Sequence, residues 1–130
     1  MIKMTKKSKI IIEVAKIELK AEIYETITGK KVWEILPLKS KVNTWGEEIY
    51  FSIPLTLPLE PDARANVEIG EIGYWNIGKS MCVFFGPTPA SIGENPVAAS
   101  PVNIFGKVEG DAKILRIVED GAEVIVEKLE

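Results

Sequence analysis

Alternation of apolar and polar residues is the sequence feature that most constrains this fold. Between residues 17 and 23 every second residue is apolar, and residues 10–14 follow a similar pattern before a short turn at Ala15–Lys16. A period of two places successive side chains on opposite faces of a β-strand, and a short turn joins two such strands into a hairpin. Residues 9–23 therefore predict an antiparallel hairpin with one buried face.

Five further segments have strand character, and turn residues separate them. They are residues 46–55, 69–76, 80–86, 101–109 and 122–129. In the first of them, alternation places Tyr50 on the same face as Glu48 and on the face opposite Phe51. The second and third are predicted to pair as a hairpin about a turn at residues 77–79.

Two stretches depart from the strand pattern. Apolar residues spaced for a helix and ended by Pro37 predict a short helix over residues 29–36, with Thr28 as its N-cap. Asp111 is expected to cap a short helical turn over residues 112–118.

The remaining segments, residues 56–68 and 87–100, are rich in Pro and are predicted to be irregular loops. The whole pattern predicts a mainly-β fold, most simply a closed antiparallel barrel, because closure removes exposed strand edges. No linker or internal repeat divides the chain. Residues 1–130 are therefore expected to form a single domain, with residues 1–8 as a frayed basic terminus.

Composition excludes several classes of chemistry. The 130 residues contain no His and no Gln, and Cys82 is the only Cys. Catalysis by a His-activated nucleophile, His-ligated metals, disulfides and thiolate zinc sites are excluded, and no metal or other cofactor is expected. The lack of a long apolar run favours a cytoplasmic protein without a membrane partner. Scarce thermolabile side chains favour a thermophile as the source.

Charge is distributed unevenly along the chain. Residues 1–41 hold ten basic and five acidic residues (net +5), and residues 42–130 hold six and fourteen (net −8), which together give −3. No Arg or aromatic residue lies among the N-terminal lysines at positions 3, 6, 7 and 9. Arg occurs in this sequence only as Arg64 and Arg116. A solubilising terminus is therefore favoured, and no nucleic-acid partner is expected.

Three strings of residues resemble a known family. They are TWGEEIYF at residues 44–51, GEIGYWNIGKSMCVFFGPTP at residues 70–89 and ASPVNIFGKV at residues 99–108. Together they are similar to a small prokaryotic cyclophilin-like family, over about residues 9–129. The resemblance implies a compact cyclophilin-type β-barrel, a kinship with prolyl isomerases and no settled biochemical role.

The resemblance also makes prolyl isomerisation an alternative function. Catalytic cyclophilins resemble one another in a site of Arg, two Phe, Met, Gln, Trp and His, in which the Arg hydrogen-bonds the prolyl amide. This chain lacks the Gln and the His. Arg64 is the candidate for the Arg, because Arg116 falls in the predicted helical turn. The favoured interpretation of Arg64 is a loop residue that pairs with a nearby acid. The acids considered are Glu60, Asp62 and Glu68.

Amphipathic aromatic residues at strand ends beside glycines typically shape ligand pockets. Such residues, with nearby polar side chains, predict an apolar cleft beside the loop at residues 87–100. The predicted ligand-binding residues are Trp45, Tyr50, Trp75, Phe84, Thr88 and Asn103. Asn103 is also expected to have a hydrogen-bonding role, because Asn is unusual within a strand. Glu48 is interpreted as a solvated edge charge and Cys82 as an inert buried thiol.

The favoured function is non-catalytic binding of a small molecule or a Pro-containing peptide in this cleft. One alternative is a divergent peptidyl-prolyl isomerase that uses Arg64. Another is a structural or interaction protein that associates through an apolar patch. The sequence leaves the ligand, any residual catalysis and the oligomeric state open.

Overall fold

Ten antiparallel strands dominate this protein, whose computed structural model describes residues 8–129. The elements in chain order are β1 (Ser8–Val14), β2 (Ile17–Ile23), α1 (Ile27–Ile35), β3 (Leu38–Lys41), β4 (Asn43–Thr44), β5 (Glu48–Ser52), β6 (Arg64–Asn66), β7 (Glu71–Trp75), β8 (Ser80–Phe84), β9 (Val97–Val108), a 3-10 helix (Ala112–Ile117) and β10 (Glu123–Lys128). The predicted mainly-β antiparallel architecture is confirmed.

Strands β1 and β2 form the predicted hairpin. Ala15 and Lys16 make the turn with φ angles of 51° and 66°, the left-handed conformation that two-residue hairpin turns favour. Ile12 lies opposite Leu19 across the two strands, and both side chains are buried. The alternation along the sequence therefore sets the buried face of the hairpin.

One short segment joins the two ends of the sheet. The strand order is β3-β10-β1-β2-β9-β7-β8-β5-β4, with β6 paired to β9. The terminal strands of this order, β3 and β4, are consecutive in the chain and only Val42 separates them. The Ser40 hydroxyl of β3 also donates to the carbonyl of Ser52 in β5 at 2.8 Å. The two strands at the ends of the sheet order are therefore adjacent in the chain, at residues 38–44.

Apolar side chains pack on both faces of the curved sheet. The main core includes the buried rings of Phe51, Tyr74 and Phe105, and the two helices contribute to it. Along β8, Val83 belongs to this main core, whereas its neighbour Phe84 belongs to a second, smaller cluster. Because neighbours in a strand point to opposite faces, the second cluster lies on the face opposite the main core.

The α-helix begins two residues earlier than predicted, and its N-cap is Thr26, not Thr28. The Thr26 hydroxyl accepts a hydrogen bond from the backbone N–H of Gly29 at 2.9 Å. Thr28 is instead buried, and its backbone N–H donates to the Glu60 carboxylate at 2.9 Å. Either threonine can cap a helix, and the contact with Glu60 assigns Thr28 to a different role.

Strands also occur where the sequence predicts none. β3 and β4 follow the helix, β6 lies within the predicted loop at residues 56–68, and β9 begins at Val97 within the predicted loop at residues 87–100. β3, β4 and β6 have at most four residues each, too few for a strand pattern to be visible in the sequence. They are defined by their pairing with β10, β5 and β9, and the start of β9 is in turn paired with β6.

The other predicted elements are confirmed with small shifts in their bounds. The Asp111 carboxylate accepts from the backbone N–H of Lys113 at 2.9 Å and caps the 3-10 helix as expected. Of the predicted frayed terminus, Ser8 begins β1 and residues 1–7 lie outside the described residues. Neither helix in residues 8–129 has the length and hydropathy needed to cross a membrane.

Candidate functional site

A cavity of about 150 Å³ opens on the sheet face opposite the main core. Its lining comes from strands β5, β7, β8 and β9 and from Trp45, which precedes β5. The lining residues are Trp45, Glu48, Tyr50, Trp75, Cys82, Ala98, Ala99 and Val102. A cavity of this size holds a group about as large as a benzene ring, which is much smaller than a dinucleotide cofactor.

The register of β5 against β8 brings the lining residues of these two strands together. Tyr50 lies opposite Cys82, and Glu48 lies opposite Phe84. Because side chains alternate along β5, Glu48 and Tyr50 face the cavity while Phe51 enters the main core. The predicted assignment of Glu48 and Tyr50 to one face is confirmed.

Aromatic rings form much of the cavity wall. Tyr50 and Trp75 pack edge to face, with ring centroids 5.9 Å apart and an interplanar angle of 81°. The Trp75 indole N–H donates to the Ser100 hydroxyl at 2.8 Å, which fixes the orientation of the ring. These two rings and that of Trp45 are only partly buried, so each keeps an accessible surface.

The position of Trp45 depends on a close approach between two parts of the chain. The next residue, Gly46, has a φ of +61°, and a Cβ there would lie 2.8 Å from the Cα of Thr88. The backbone N–H of Glu47 donates to the Pro87 carbonyl at 2.9 Å. The TWGEEIYF and FFGPTP strings are therefore in direct contact, and only glycine fits at position 46 without strain.

A second glycine allows β9 to supply its part of the lining. A Cβ at Gly73 of β7 would lie 2.9 Å from Cγ2 of Val102. The missing side chain lets Val102 pack against the sheet, where it joins Cys82 and Phe84 in the second cluster. The cavity is thus bounded by close-packed apolar groups as well as by rings.

Glu48 is a buried acid, and its interpretation as a solvated edge charge is wrong. Only 5% of the surface of Glu48 is exposed to solvent. Burial raises the pKa of the Glu48 carboxyl to about 7, and a hydrogen bond from the Cys82 thiol partly opposes this rise. None of the ion pairs within residues 8–129 includes Glu48. Ala98, Ala99 and Val102 of β9 line the same cavity as Glu48, and the local sequence does not reveal that they lie there.

Cys82 is a buried thiol, as predicted. Burial raises the pKa of this thiol well above its usual value, and the neighbouring Glu48 carboxylate raises it further. Because the thiolate is the nucleophilic form, Cys82 is poorly suited to nucleophilic chemistry near neutral pH. Within the described part of the chain, no group of three acidic or thiol side chains is arranged to hold a metal ion.

The structure brings together three of the six predicted ligand-binding residues. Trp45, Tyr50 and Trp75 line the cavity. Phe84 is fully buried in the second cluster and lies outside the lining. Thr88 also lies outside it, and its hydroxyl donates to the backbone carbonyl of Val97. That bond closes the intervening loop onto the start of β9.

Asn103 also lies away from the cavity, and it has the hydrogen-bonding role that its position predicts. Its side-chain oxygen accepts from the Glu60 backbone N–H at 2.8 Å. Its side-chain nitrogen donates to the Thr28 hydroxyl and to the Pro58 carbonyl, each at 3.0 Å. The buried amide therefore joins β9 to the helix and to the chain near residue 60.

Arg64, the catalytic candidate, forms a bidentate ion pair with Glu71. The two nitrogen–oxygen distances are 2.9 and 2.8 Å, and the guanidinium also donates to the carbonyl of Asn66 at 2.8 Å. Glu71 therefore replaces the three acids predicted as partners. Glu71 lies seven residues after Arg64, in the strand that follows the predicted loop. Arg64 is not among the residues that line the cavity.

The cavity residues that sequence reasoning missed are Glu48, Cys82, Ala98, Ala99 and Val102. One signal for them was available. The string MCVFF in β8 is apolar at every position, and a strand that is apolar on both faces is covered on both faces. That observation predicts a second packed layer over Cys82 and its neighbours, although it does not identify the covering strand.

Comparisons with known proteins agree with this architecture. A family model described as Cyclophilin-like matches residues 7–127. The chain is also similar to the solution structure of the hypothetical protein AF2241 from Archaeoglobus fulgidus, with 34% identity, a TM-score of 0.79 and coverage of 95% of each chain. No curated protein matches it. Because the family model spans nearly all of the sequence, this chain belongs to the cyclophilin-like family.

Proposed function

We propose that this protein binds a compact ligand, or a compact group of a larger one, in the aromatic cavity and catalyses no reaction on it. The observation that carries the proposal is a preformed 150 Å³ cavity walled by three partly exposed aromatic rings. Ligand sites are typically concave and apolar, with a few polar groups that fix the orientation of the ligand.

The fixed geometry of the walls supports binding. The hydrogen bond from Trp75 to Ser100 and the edge-to-face contact with Tyr50 hold two rings in place before any ligand arrives. A preorganised site loses less conformational entropy on binding than a mobile one. Rings that served only the core would be fully buried, as Phe51 is.

The chemistry of the lining supports recognition rather than catalysis. Of the lining side chains, only Glu48 and Cys82 carry an acid or a thiol. The pKa of the Cys82 thiol is raised, chiefly by burial, so it is a poor nucleophile near neutral pH. A single carboxyl without a paired base or a positioned nucleophile suits orientation of a ligand better than group transfer.

Titrations followed through the indole N–H signals test this proposal directly. With benzyl alcohol or N-acetylproline amide as probe, we expect saturable shifts for Trp45 and Trp75. Trp33 on the helix lines no part of the cavity and serves as the internal reference. Saturable binding should also raise the thermal unfolding midpoint. Equal shifts of all three indoles, or none with either probe, would contradict the proposal.

A pair of alanine variants provides the structural control. Ala99 lines the cavity and is exposed, so Ala99→Phe should fill the site without disturbing the core. Ala90 is exposed on the preceding loop and lies outside the lining, so Ala90→Phe adds the same group elsewhere. We expect only Ala99→Phe to abolish the indole shifts.

A protease-coupled assay on a Pro peptide distinguishes binding from isomerisation. We expect no acceleration over buffer, because the Arg64 guanidinium is directed at Glu71 and lies outside the cavity lining. An acceleration that Arg64→Ala abolished in a folded variant would replace the binding proposal with catalysis.

A further inference from the structure

Glu48 gives the aromatic cavity a chemical preference. We infer that the ligand is a compact organic cation of the alkylammonium type, with Glu48 as its counter-ion and the rings of Trp45, Tyr50 and Trp75 around it. This inference rests on the proposed function, since it requires the cavity to be the binding site. It adds the charge and the chemical class of the ligand.

The first argument is that the buried carboxyl of Glu48 has no cationic partner among residues 8–129. A buried carboxylate is costly unless it is paired, and buried acids in proteins therefore usually have a cationic partner. Glu71, which is similarly buried, has Arg64. No lysine or arginine of residues 8–129 forms an ion pair with Glu48, and none lines the cavity. A cationic ligand would supply the missing partner.

The second argument is the arrangement of the rings. The face of an aromatic ring carries a negative quadrupole that attracts ammonium groups, most strongly for Trp, and cages of aromatic rings recognise quaternary ammonium ligands. Two of the three rings here are indoles. The Trp75 ring is fixed by its hydrogen bond to Ser100 and by its contact with Tyr50.

The remaining lining selects against other ligands of similar size. Ala98 and Val102 offer only apolar contact, which suits the methyl or methylene groups of an alkylammonium ion. An anion would enter beside the Glu48 carboxylate without a basic residue to receive it. The cavity volume of about 150 Å³ restricts the ligand to a head group of roughly the size of a benzene ring.

Binding of such a cation should depend on pH through Glu48. The titratable side chains that line the cavity are Glu48 on β5, Cys82 on β8 and the phenol of Tyr50, while β7 and β9 contribute none. The adjacent Glu47 lies outside the lining and pairs with Arg116 at 2.9 Å. A cation binds the ionised carboxylate, so its affinity should rise as pH increases through the pKa of Glu48, about 7.

A matched pair of probes separates charge from shape. Choline carries a quaternary ammonium group whose charge does not vary with pH, and 3,3-dimethyl-1-butanol has carbon in place of the nitrogen. In titrations of the full chain at pH 8, followed through the Trp45 and Trp75 indole signals, we expect choline to bind about tenfold more tightly than the alcohol. At pH 6 its affinity should be about five- to tenfold lower, while that of the alcohol should not change.

Two glutamate variants identify the counter-ion. Glu48→Gln keeps the size of the side chain and removes its charge, so the preference for choline should fall to the smaller part that the rings supply and should no longer change with pH. Glu47→Gln removes a neighbouring charge that lies outside the lining, and it should preserve the tenfold preference. If Glu48→Gln does not fold, the pH comparison on the wild-type chain still tests the inference.

The possible failures are distinguishable. If the alcohol binds and choline binds no more tightly at pH 8, the cationic ligand is excluded and the proposed binding function stands. If a folded Glu48→Gln variant keeps the full tenfold preference for choline over the alcohol at pH 8, Glu48 is not the counter-ion and the inference is overturned. If neither choline nor the alcohol shifts the Trp45 and Trp75 signals, the inference fails. If benzyl alcohol and N-acetylproline amide also give no shifts, the proposed binding function fails as well.

Discussion

Glu48 and Glu71 lie on neighbouring parts of the same sheet and are almost equally buried, with 5% and 6% of each residue exposed. Glu71 accepts two hydrogen bonds from Arg64 and one from the backbone N–H of Glu68 at 2.8 Å. Glu48 faces a cavity and has the Cys82 thiol as its neighbour. The two carboxyls therefore have different partners.

The pKa values of the two carboxyls move in opposite directions. Burial alone would raise the pKa of Glu71, but the bonds from Arg64 and from the Glu68 backbone outweigh it and the pKa is lowered. For Glu48, burial dominates and the pKa rises to about 7. A buried acid with a cationic partner contributes to stability, whereas a buried acid without one reduces stability when it ionises.

The largest expected effect is the pH dependence of stability that Glu48 contributes. The pKa of Glu48 is raised from 4.5 to about 7 on folding, because the folded protein favours the protonated carboxyl. The stability that this carboxyl contributes is therefore fully present below pH 4.5 and is lost as pH rises through 7. This loss amounts to about 3 kcal/mol. In urea unfolding, the free energy of unfolding of Glu48→Gln relative to wild type should rise by that amount between pH 4.5 and 8. Parallel profiles would remove the contrast with Glu71.

Removal of the partner of Glu71 should have the next largest effect. Arg64→Ala leaves a buried carboxylate uncompensated and should lower the free energy of unfolding at pH 7 by about 2 kcal/mol. The full cost of a buried pair is not expected, because the Arg64 side chain is 44% exposed. Since the pKa of Glu71 is lowered on folding, the deficit should shrink as acid protonates the carboxyl.

The control for Arg64→Ala is Arg116→Ala. Arg116 pairs with Glu47 at 2.9 Å, but both side chains are substantially exposed. Exposed pairs contribute little, so the loss should be below about 1 kcal/mol. Equal losses for the two variants in the same urea titrations would show that burial of Glu71 does not distinguish the pairs.

The smallest expected effect concerns the thiol beside Glu48. The hydrogen bond from Cys82 lowers the pKa of Glu48 against the larger effect of burial. Cys82→Ala should therefore raise that pKa further, by less than about one unit. Carboxyl ¹³C shifts followed against pH measure the change, and the Glu71 signal provides an internal control. An unchanged or lowered Glu48 midpoint would contradict this account.

Most of the fold follows from local sequence pattern. The hairpin of β1 and β2 and the pairing of β7 with β8 were predictable, because alternation and turn residues both lie within the paired segments. β3, β4 and β6 were not, because each has at most four residues, too few to show a strand pattern. The predicted start of the helix was two residues too late, because Thr26 and Thr28 are equivalent locally and only Glu60 distinguishes them.

The candidate site was only partly predictable. Trp45, Tyr50 and Trp75 were recognisable as amphipathic rings beside glycines and polar residues. Glu48 was misassigned because its strand pattern identifies its face but not what covers that face. Ala98 and Val102 line the same cavity, and they lie 50 and 54 residues after Glu48 in the chain. Long-range contacts of this kind determine burial and therefore charge state.

The cavity lies outside the main core, and this separation has an evolutionary consequence. Substitutions at exposed lining positions such as Ala99 change what the cavity can accept without altering the packing around Phe51 or Phe105. Under the proposed binding function, selection could therefore act on ligand preference and on thermal robustness through different residues.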